Sequence, residues 1–285
     1  MPELPEVEVL ARHLDPLLKR KTIREVRVYR ERVIRPYSEG ELQQELTGAR
    51  FKGVKRRGKF LLFQLKQGRR PFELLGHLGM TGRMFVQPAK KDLPKHTAVS
   101  MSLGKHQFVF QDTRYFGRLT LDLSSIAWLG PEPLGNEFTI DGFREALKRS
   151  SQAIKVKLLD QTLIAGVGNI YASEALHRAG ISPQKASKRL SGRETERLYH
   201  AVRDTLSNAI DTGSTIPLDF DGGSDGLFYF GSSDGSEYQH EELLVYDRAG
   251  EPCGACGEPI RRIVQAARST FYCRVCQRGN SAPAN

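Results

Sequence analysis

The chain has 285 residues, a length that accommodates two domains with separate cores or one large one. Its formal net charge of +10 and pI near 9.5 direct attention to polyanionic partners, since surplus Lys and Arg on a folded surface attract phosphates. No stretch approaches the roughly 18 apolar residues of a membrane-spanning helix, and the first residues lack a signal peptide's basic-then-apolar pattern. A helical membrane protein is thereby excluded, and a soluble, cytoplasmic protein without membrane contact is expected.

The chain opens MPELPEVE. Pro5 suits the first helical position, Glu6 and Glu8 suit the positive end of the macrodipole, and Leu10, Leu14, Leu17 and Leu18 share a face. This predicts a helix from residue 5 to about residue 14, ended or kinked at Pro16, and leaves Pro2 and Glu3 without a structural task. Residues 22–30, 50–65, 71–86, 97–111 and 115–123 read as strands separated by Gly, Pro, Asp or Lys-rich turns, which predicts an antiparallel sandwich or barrel. The segment LGPEPLGNEFT at 129–139 carries two prolines and two glycines and reads as a linker. Beyond it the period turns helical: 141–149, about 153–159, a helix capped by Asn169 and ending at Gly180, and a long helix after the Ser191/Glu194 capping box. Residues 219–239 are rich in Gly, Ser and Asp yet hold Phe228, Tyr229 and Phe230, a composition that fits either a surface excursion or a lid.

The four cysteines all lie near the C-terminal end, as CGAC and CRVC: Cys253, Cys256, Cys273 and Cys276. Two C-x-x-C knuckles present four thiolates to one tetrahedral zinc ion, a more natural reading than disulfides or a redox pair in a reducing compartment. Between the knuckles the alternation is that of a short hairpin whose turn carries Arg268, too small for a core of its own and therefore stapled by metal.

Two further constellations suggest phosphate chemistry. KGVKRRGK at 52–59 reads as a basic turn leading into an apolar strand, and Lys59, abutting that strand, could face a partly desolvated site where lysine does acid–base work. In LIAGVGNIYASEAL at 163–176, two glycines open a helix so that backbone N–H groups can approach an anion, with Lys155 and Lys157 just upstream.

These motifs, in order, resemble formamidopyrimidine-DNA glycosylases of the Fpg/Nei family: PELPEVE, RRGKFL, HLGMTGR, QDTRYFG, GVGNIYASEAL and the terminal C-x2-C-x16-C-x2-C. Leu4 resembles the formamidopyrimidine branch more than the endonuclease VIII branch, which usually reads PEGPE. The resemblance implies a multidomain α+β fold. An N-terminal β-sandwich with its leading helix would occupy 2–128, with a linker at 129–139 and a helix-two-turn-helix domain at 140–245 that holds a lesion-loop candidate near 214–240. A zinc-finger hairpin would occupy 246–280, and the whole would surround a DNA cleft. It implies a monomer that removes oxidised purines from damaged duplex DNA and cleaves the strand by β,δ-elimination, with one structural zinc ion.

By residue, the resemblance assigns the nucleophile to Pro2 after loss of Met1, proton transfer to Glu3, acid–base assistance to Lys59 and phosphate gripping to Arg268. Met80, Arg114 and Phe116 correspond to residues that fill the space left by an extruded base, while His77, His96, Lys155 and Asn169 match phosphate-contacting positions. The chain departs from the family where G-G-x-T-[IL]-[RK]-D-[FY] is usual: TGSTIPLDF introduces Pro217, and the segment after it is longer. The preferred base therefore stays open among formamidopyrimidines, 8-oxoguanine and other oxidised bases. An endonuclease VIII-like pyrimidine glycosylase and a non-catalytic damaged-DNA-binding protein are the competing expectations.

Overall fold

The computed structural model describes residues 2–213 and 243–278. Met1 and the expected lesion loop near 214–240, including Pro217 and the three aromatics, lie outside the described residues. The chain divides into two compact units, Met1–Trp128 and Leu129–Asn285.

In the first unit, helix α1 spans Leu4–Leu18 and buries Leu4, Val7, Leu10, Ala11, Leu14 and Leu18, a stripe at helical spacing. It begins one residue earlier than Pro5 suggests, with Glu3 at the N-cap, and it runs past Pro16. A proline costs the helix one N–H donor, and the buried Leu14 and Leu18 on either side of it offset that loss. Strands β1 (Glu25–Val28), β2 (Arg50–Arg57), β3 (Phe60–Gln67), β4 (Arg70–His77), β5 (Gly82–Pro88), β6 (Thr97–Ser102), β7 (His106–Asp112) and β8 (Arg118–Thr120) form two four-stranded antiparallel sheets. Their orders are β1-β6-β7-β5 and β2-β3-β4-β8.

On β3, Leu61, Phe63 and Leu65 are buried at every second position, as a half-covered strand requires. Phe63 meets Phe108 of the other sheet edge-to-face with centroids 5.5 Å apart, so the two sheets enclose one core as the expected sandwich. The three longest expected strands are each broken by a tight turn, at Gly58–Lys59, at 78–81 and at 103–105. A helix outside the expected elements, α2 (Glu39–Leu46), lies between β1 and β2, with Ser38 and Glu41 forming its capping box and Leu42 and Leu46 buried. A short helix α3, Ser124–Ala127, closes the unit.

In the second unit, residues 129–139 do not hang free. The Gly130 N–H donates to Gln161 O at 2.8 Å, the Ala165 N–H donates to Pro131 O at 3.0 Å, and Arg203 donates to Pro133 O at 2.6 Å. Helices α4 (Ile140–Lys148), α5 (Ile154–Leu158), α6 (Asn169–Arg178) and α7 (Gly192–Asp211) follow. The Ser191/Glu194 box opens α7, and its Leu198, Val202, Leu206 and Ile210 face the core. Strands β9 (Arg261–Gln265) and β10 (Arg268–Tyr272) form a two-stranded antiparallel hairpin over a small cluster of Val245, Cys253, Ile260, Phe271 and Cys273. Among the described residues no helix is long and apolar enough to cross a membrane.

Candidate active site and zinc centre

At the start of α1, Pro2 is half-buried and Glu3 is 3% exposed. The Glu3 N–H donates to the Glu6 carboxylate at 2.7 Å, so the N-terminal turn is fastened and does not fray. Along the same helix, Glu8 accepts from Arg56 Nε at 2.8 Å, and Arg56 Nη1 donates to Gly58 O at 3.2 Å. Arg56 thus ties α1 to the two-residue turn that carries Lys59.

That turn corrects the expected basic loop: Lys52 to Arg57 lie within β2, and only Gly58 and Lys59 turn the chain, with Gly58 at φ 57°. Lys59 is 9% exposed, whereas Lys52 and Lys55 are exposed. Across the sheet, Phe60 pairs with His77 and their rings lie 4.7 Å apart. Burial first, then the charges of Lys59 and Arg118, push the His77 imidazole down to about 4. His77 is therefore neutral at cellular pH. Its Nδ1 accepts the Gly79 N–H at 3.2 Å, which leaves the ring proton on Nε2 as a donor.

Met80 and Phe116 are about half exposed, at 49% and 48%, although both side chains are large and apolar. Their loops meet backbone to backbone: a Cβ on Gly79 (φ 62°) would lie 2.7 Å from the Gly117 nitrogen. Only glycine tolerates both that approach and that φ. Asp112, fully buried, organises the second loop by accepting from Thr81 Oγ1 at 2.7 Å, the Arg114 N–H at 3.1 Å and the Gly117 N–H at 2.8 Å. Arg114 is exposed, with Nη1 3.6 Å from Met80 Sδ. His96, at φ 66°, sits with Nδ1 3.3 Å from the Tyr115 hydroxyl, and the Arg30 and Arg32 guanidinium groups lie over the Tyr115 and Phe116 rings at 5.2 and 5.7 Å. Asp112 and Arg56 were not singled out from the sequence. The partners that tie them to other elements, Glu8 for Arg56 and Thr81 for Asp112, lie 48 and 31 residues away, too far along the chain for any spacing rule to find them.

In the second unit, Lys155 is fully buried on α5 and its Nζ donates to Asn169 Oδ1 at 2.6 Å and Thr270 Oγ1 at 3.4 Å. Asn169 does not cap α6 as its residue type suggests: the N-cap is Gly168, and α6 ends at Arg178. The freed Asn169 amide instead donates to Ser269 O at 2.9 Å, fastening β10. Further along α6, the buried Glu174 carboxylate accepts from the N–H groups of Leu244, Val245 and Tyr246 at 2.8, 2.9 and 2.8 Å, docking the segment that enters the cysteine module. Arg268 is the exposed first residue of β10, just past a turn of Ala266 and Ala267, both at positive φ of 47° and 57°.

The sulfur atoms of Cys253, Cys256, Cys273 and Cys276 all lie within 4.8 Å of one another. Cys253 and Cys276 sulfurs are 3.8 Å apart and Cys256 and Cys273 sulfurs 3.4 Å. Four ligands at the usual zinc–sulfur length of about 2.3 Å in a tetrahedron are separated by about 3.8 Å, so the donor set fits zinc. Gln277 accepts the Cys273 N–H at 2.8 Å and donates to Ile181 O at 2.9 Å, pinning the second knuckle to the helical body.

The first unit is a β-sandwich with a fastened N-terminus and the second a helical unit bearing a structural zinc centre, the two parts of a class of DNA-repair glycosylase. Family models match in series: the formamidopyrimidine-DNA glycosylase N-terminal domain over 1–119, the formamidopyrimidine-DNA glycosylase H2TH domain over 129–219 and the zinc finger found in FPG and IleRS over 250–279. Similar proteins include the formamidopyrimidine-DNA glycosylases of Thermus thermophilus, 42% identical over 97% of this chain and 98% of that protein, and of Desulfitobacterium hafniense, 39% identical over 97% and 100%. The solved Lactococcus lactis enzyme, non-covalently bound to DNA containing an AP site, is 33% identical with a TM-score of 0.83, covering 96% of this chain and 99% of that one. A complex of a point mutant of the L. lactis enzyme with DNA containing Fapy-dG has a TM-score of 0.85 at 33% identity, covering 97% and 99%. The chain belongs to the formamidopyrimidine-DNA glycosylase family, and its four cysteines form the family's structural zinc finger.

Proposed function

We propose that the protein is a base-excision repair enzyme that removes oxidised purines from duplex DNA and then cleaves the strand. Pro2, once Met1 has been removed, is the nucleophile. An N-terminal proline is a secondary amine, and an α-amino group with a pKa of about 7.7–8 is partly neutral at cellular pH. With the damaged nucleotide rotated out of the stack, the Pro2 nitrogen attacks C1′, the bond from C1′ to the base breaks, and the base leaves with a proton. Glu3 donates a proton to the sugar ring oxygen, the ring opens, and C1′ becomes an iminium on Pro2. That electron sink acidifies C2′, so the 3′ phosphate leaves by β-elimination and the 5′ phosphate by δ-elimination. Water then releases the sugar remnant and restores the amine.

Lys59 assists these proton transfers from its buried turn. His77 donates Nε2–H to a phosphate as a neutral group, His96, Asn169 and Arg268 engage the DNA backbone, and the buried Lys155 supports that contact by orienting Asn169. Met80, Arg114 and Phe116 occupy the emptied position, for which an exposed thioether, guanidinium and aromatic ring are suitable types. The observation that carries the reading is the fastened N-terminal turn, which leaves Pro2 ahead of a buried carboxylate in a chain that matches the family along almost its full length.

Borohydride, which reduces an iminium to a stable amine, should trap the native protein on lesion-containing duplex DNA, and Pro2→Gly should lower that adduct sharply. An undiminished adduct would remove Pro2 from the mechanism. Glu3→Gln should lose about 10²–10⁴-fold in base excision and still be trapped on DNA that is already abasic, where the sugar opens without its help. Equal loss on both substrates would instead make Glu3 structural. Duplexes carrying oxidised purines or oxidised pyrimidines, each opposite cytosine and adenine, rank the substrates and separate the two branches of the family.

A further inference from the structure

His177 lies in the last turn of α6, and its Nε2 is 3.5 Å from the Cys253 sulfur. We infer that His177 is a positioning residue for the zinc centre, donating Nε2–H to the zinc-bound Cys253 thiolate and thereby holding the metal and locking α6 to the finger.

The proton assignment follows from the chemistry of the donor set. A zinc-bound thiolate has no proton, so a nitrogen at hydrogen-bond distance from it must be the donor. The other ring nitrogen, Nδ1, is buried and has no partner among the described residues. Placing the neutral ring's proton there would leave a buried N–H unpaired and aim the Nε2 lone pair at a negatively charged sulfur. Both penalties disappear when Nε2 carries the hydrogen.

His177 acts from outside the coordination shell. The mutually close ligand atoms are the four sulfurs, which already complete a tetrahedron, and the imidazole is not among them. Four thiolates around one divalent zinc leave two surplus negative charges, in a site where Cys253 is 2% exposed and Cys273 is fully buried. N–H donors to sulfur draw off part of that charge. The Cys276 N–H reaches Cys273 sulfur at 3.4 Å, and His177 does the same for Cys253. The Cys253 carbonyl meanwhile accepts from the Cys256 and Gly257 N–H groups, so the backbone of that knuckle is committed to its own turn. Helix α6 therefore holds the module at three successive places: Asn169 on β10, Glu174 on the entering segment and His177 on a ligand sulfur.

The test uses the full-length protein loaded with zinc or cobalt. His177→Phe should speed zinc transfer to a competing chelator about tenfold or more, the scale on which partners of metal ligands act. In the cobalt form, the thiolate-to-cobalt charge-transfer band should move to lower energy, because losing the N–H raises the sulfur lone pair. His177→Gln, whose amide can still donate, should restore most of both properties. Unchanged transfer and band position in His177→Phe would overturn the inference. A Gln variant as impaired as the Phe variant would also overturn it, reducing His177 to a packing residue; a native-like circular dichroism spectrum of each loaded variant guards against global misfolding.

Discussion

The loops that present Met80, Arg114 and Phe116 and the hairpin that presents Arg268 both expose side chains proposed to meet DNA, yet different forces hold them. The loops rest on the rim of a sandwich core, fixed by the buried Asp112 and by the backbone contact at Gly79 and Gly117. The hairpin rests on a cluster of five buried residues, two of which are zinc ligands. A large core can hold functional loops through ordinary packing and hydrogen bonds, whereas an arm this small needs a metal and a neighbouring helix to stay in shape.

The largest expected effect tests the metal-held arm. Chelating the zinc, or Cys273→Ser, removes a term of about 10 kcal/mol for a structural zinc site. Limited proteolysis should then cut rapidly within 243–278 while the sandwich stays protected. An unchanged digestion pattern would mean that the hairpin stands on packing alone.

Next, Asp112→Ala strikes the core-held loops. It strips three donors of their buried acceptor and should cost about 3 kcal/mol in urea unfolding. The loss should leave zinc content unchanged, and a cost below about 0.5 kcal/mol would show that the glycine contact alone sets the loops.

The same rim should respond to pH through His77. Its folded imidazole titrates at about 4, against roughly 6.5 in an unfolded chain. Between those values the unfolded chain binds more protons, so stability is full above about pH 6.5 and falls as the pH is lowered toward 4. His77→Asn should flatten that part of the profile, and an unaltered slope would place the acid sensitivity elsewhere.

The smallest effect returns to the hairpin. Ala266 and Ala267 both hold left-handed backbone conformations that suit glycine. Ala267→Gly should therefore add about 0.5–1 kcal/mol to the thermal stability of the zinc-loaded protein. A destabilised variant would show that the alanine methyl contributes packing that outweighs the backbone strain.

Several elements could be read because their causes are local. Alternating Leu61, Phe63 and Leu65 mark a strand with one covered face, and the Ser191/Glu194 box marks the start of α7. Helix α2 carries the same kind of signal in Ser38 and Glu41, but with only Leu42 and Leu46 buried it lacks the long apolar stripe that draws attention. Asn169 shows the opposite failure. Its residue type and place suggested a cap, and the fold used its amide to join Lys155 to Ser269.

From the sequence alone, the cysteine spacing determined a zinc knuckle pair, the alternating strands narrowed the first unit to a sandwich or a barrel, and the ordered motifs carried the family resemblance. The first two depend on residues close enough in the chain to act through backbone geometry, and the third on short motifs each legible by itself. The tertiary structure decided which side chains support them: Arg56 reaching Glu8 of α1 across 48 residues, Asp112 accepting from Thr81 across 31, and His177 meeting Cys253 across 76. Contacts at such separations exist only once sheets and helices have packed, because packing, not chain proximity, brings a donor to its acceptor.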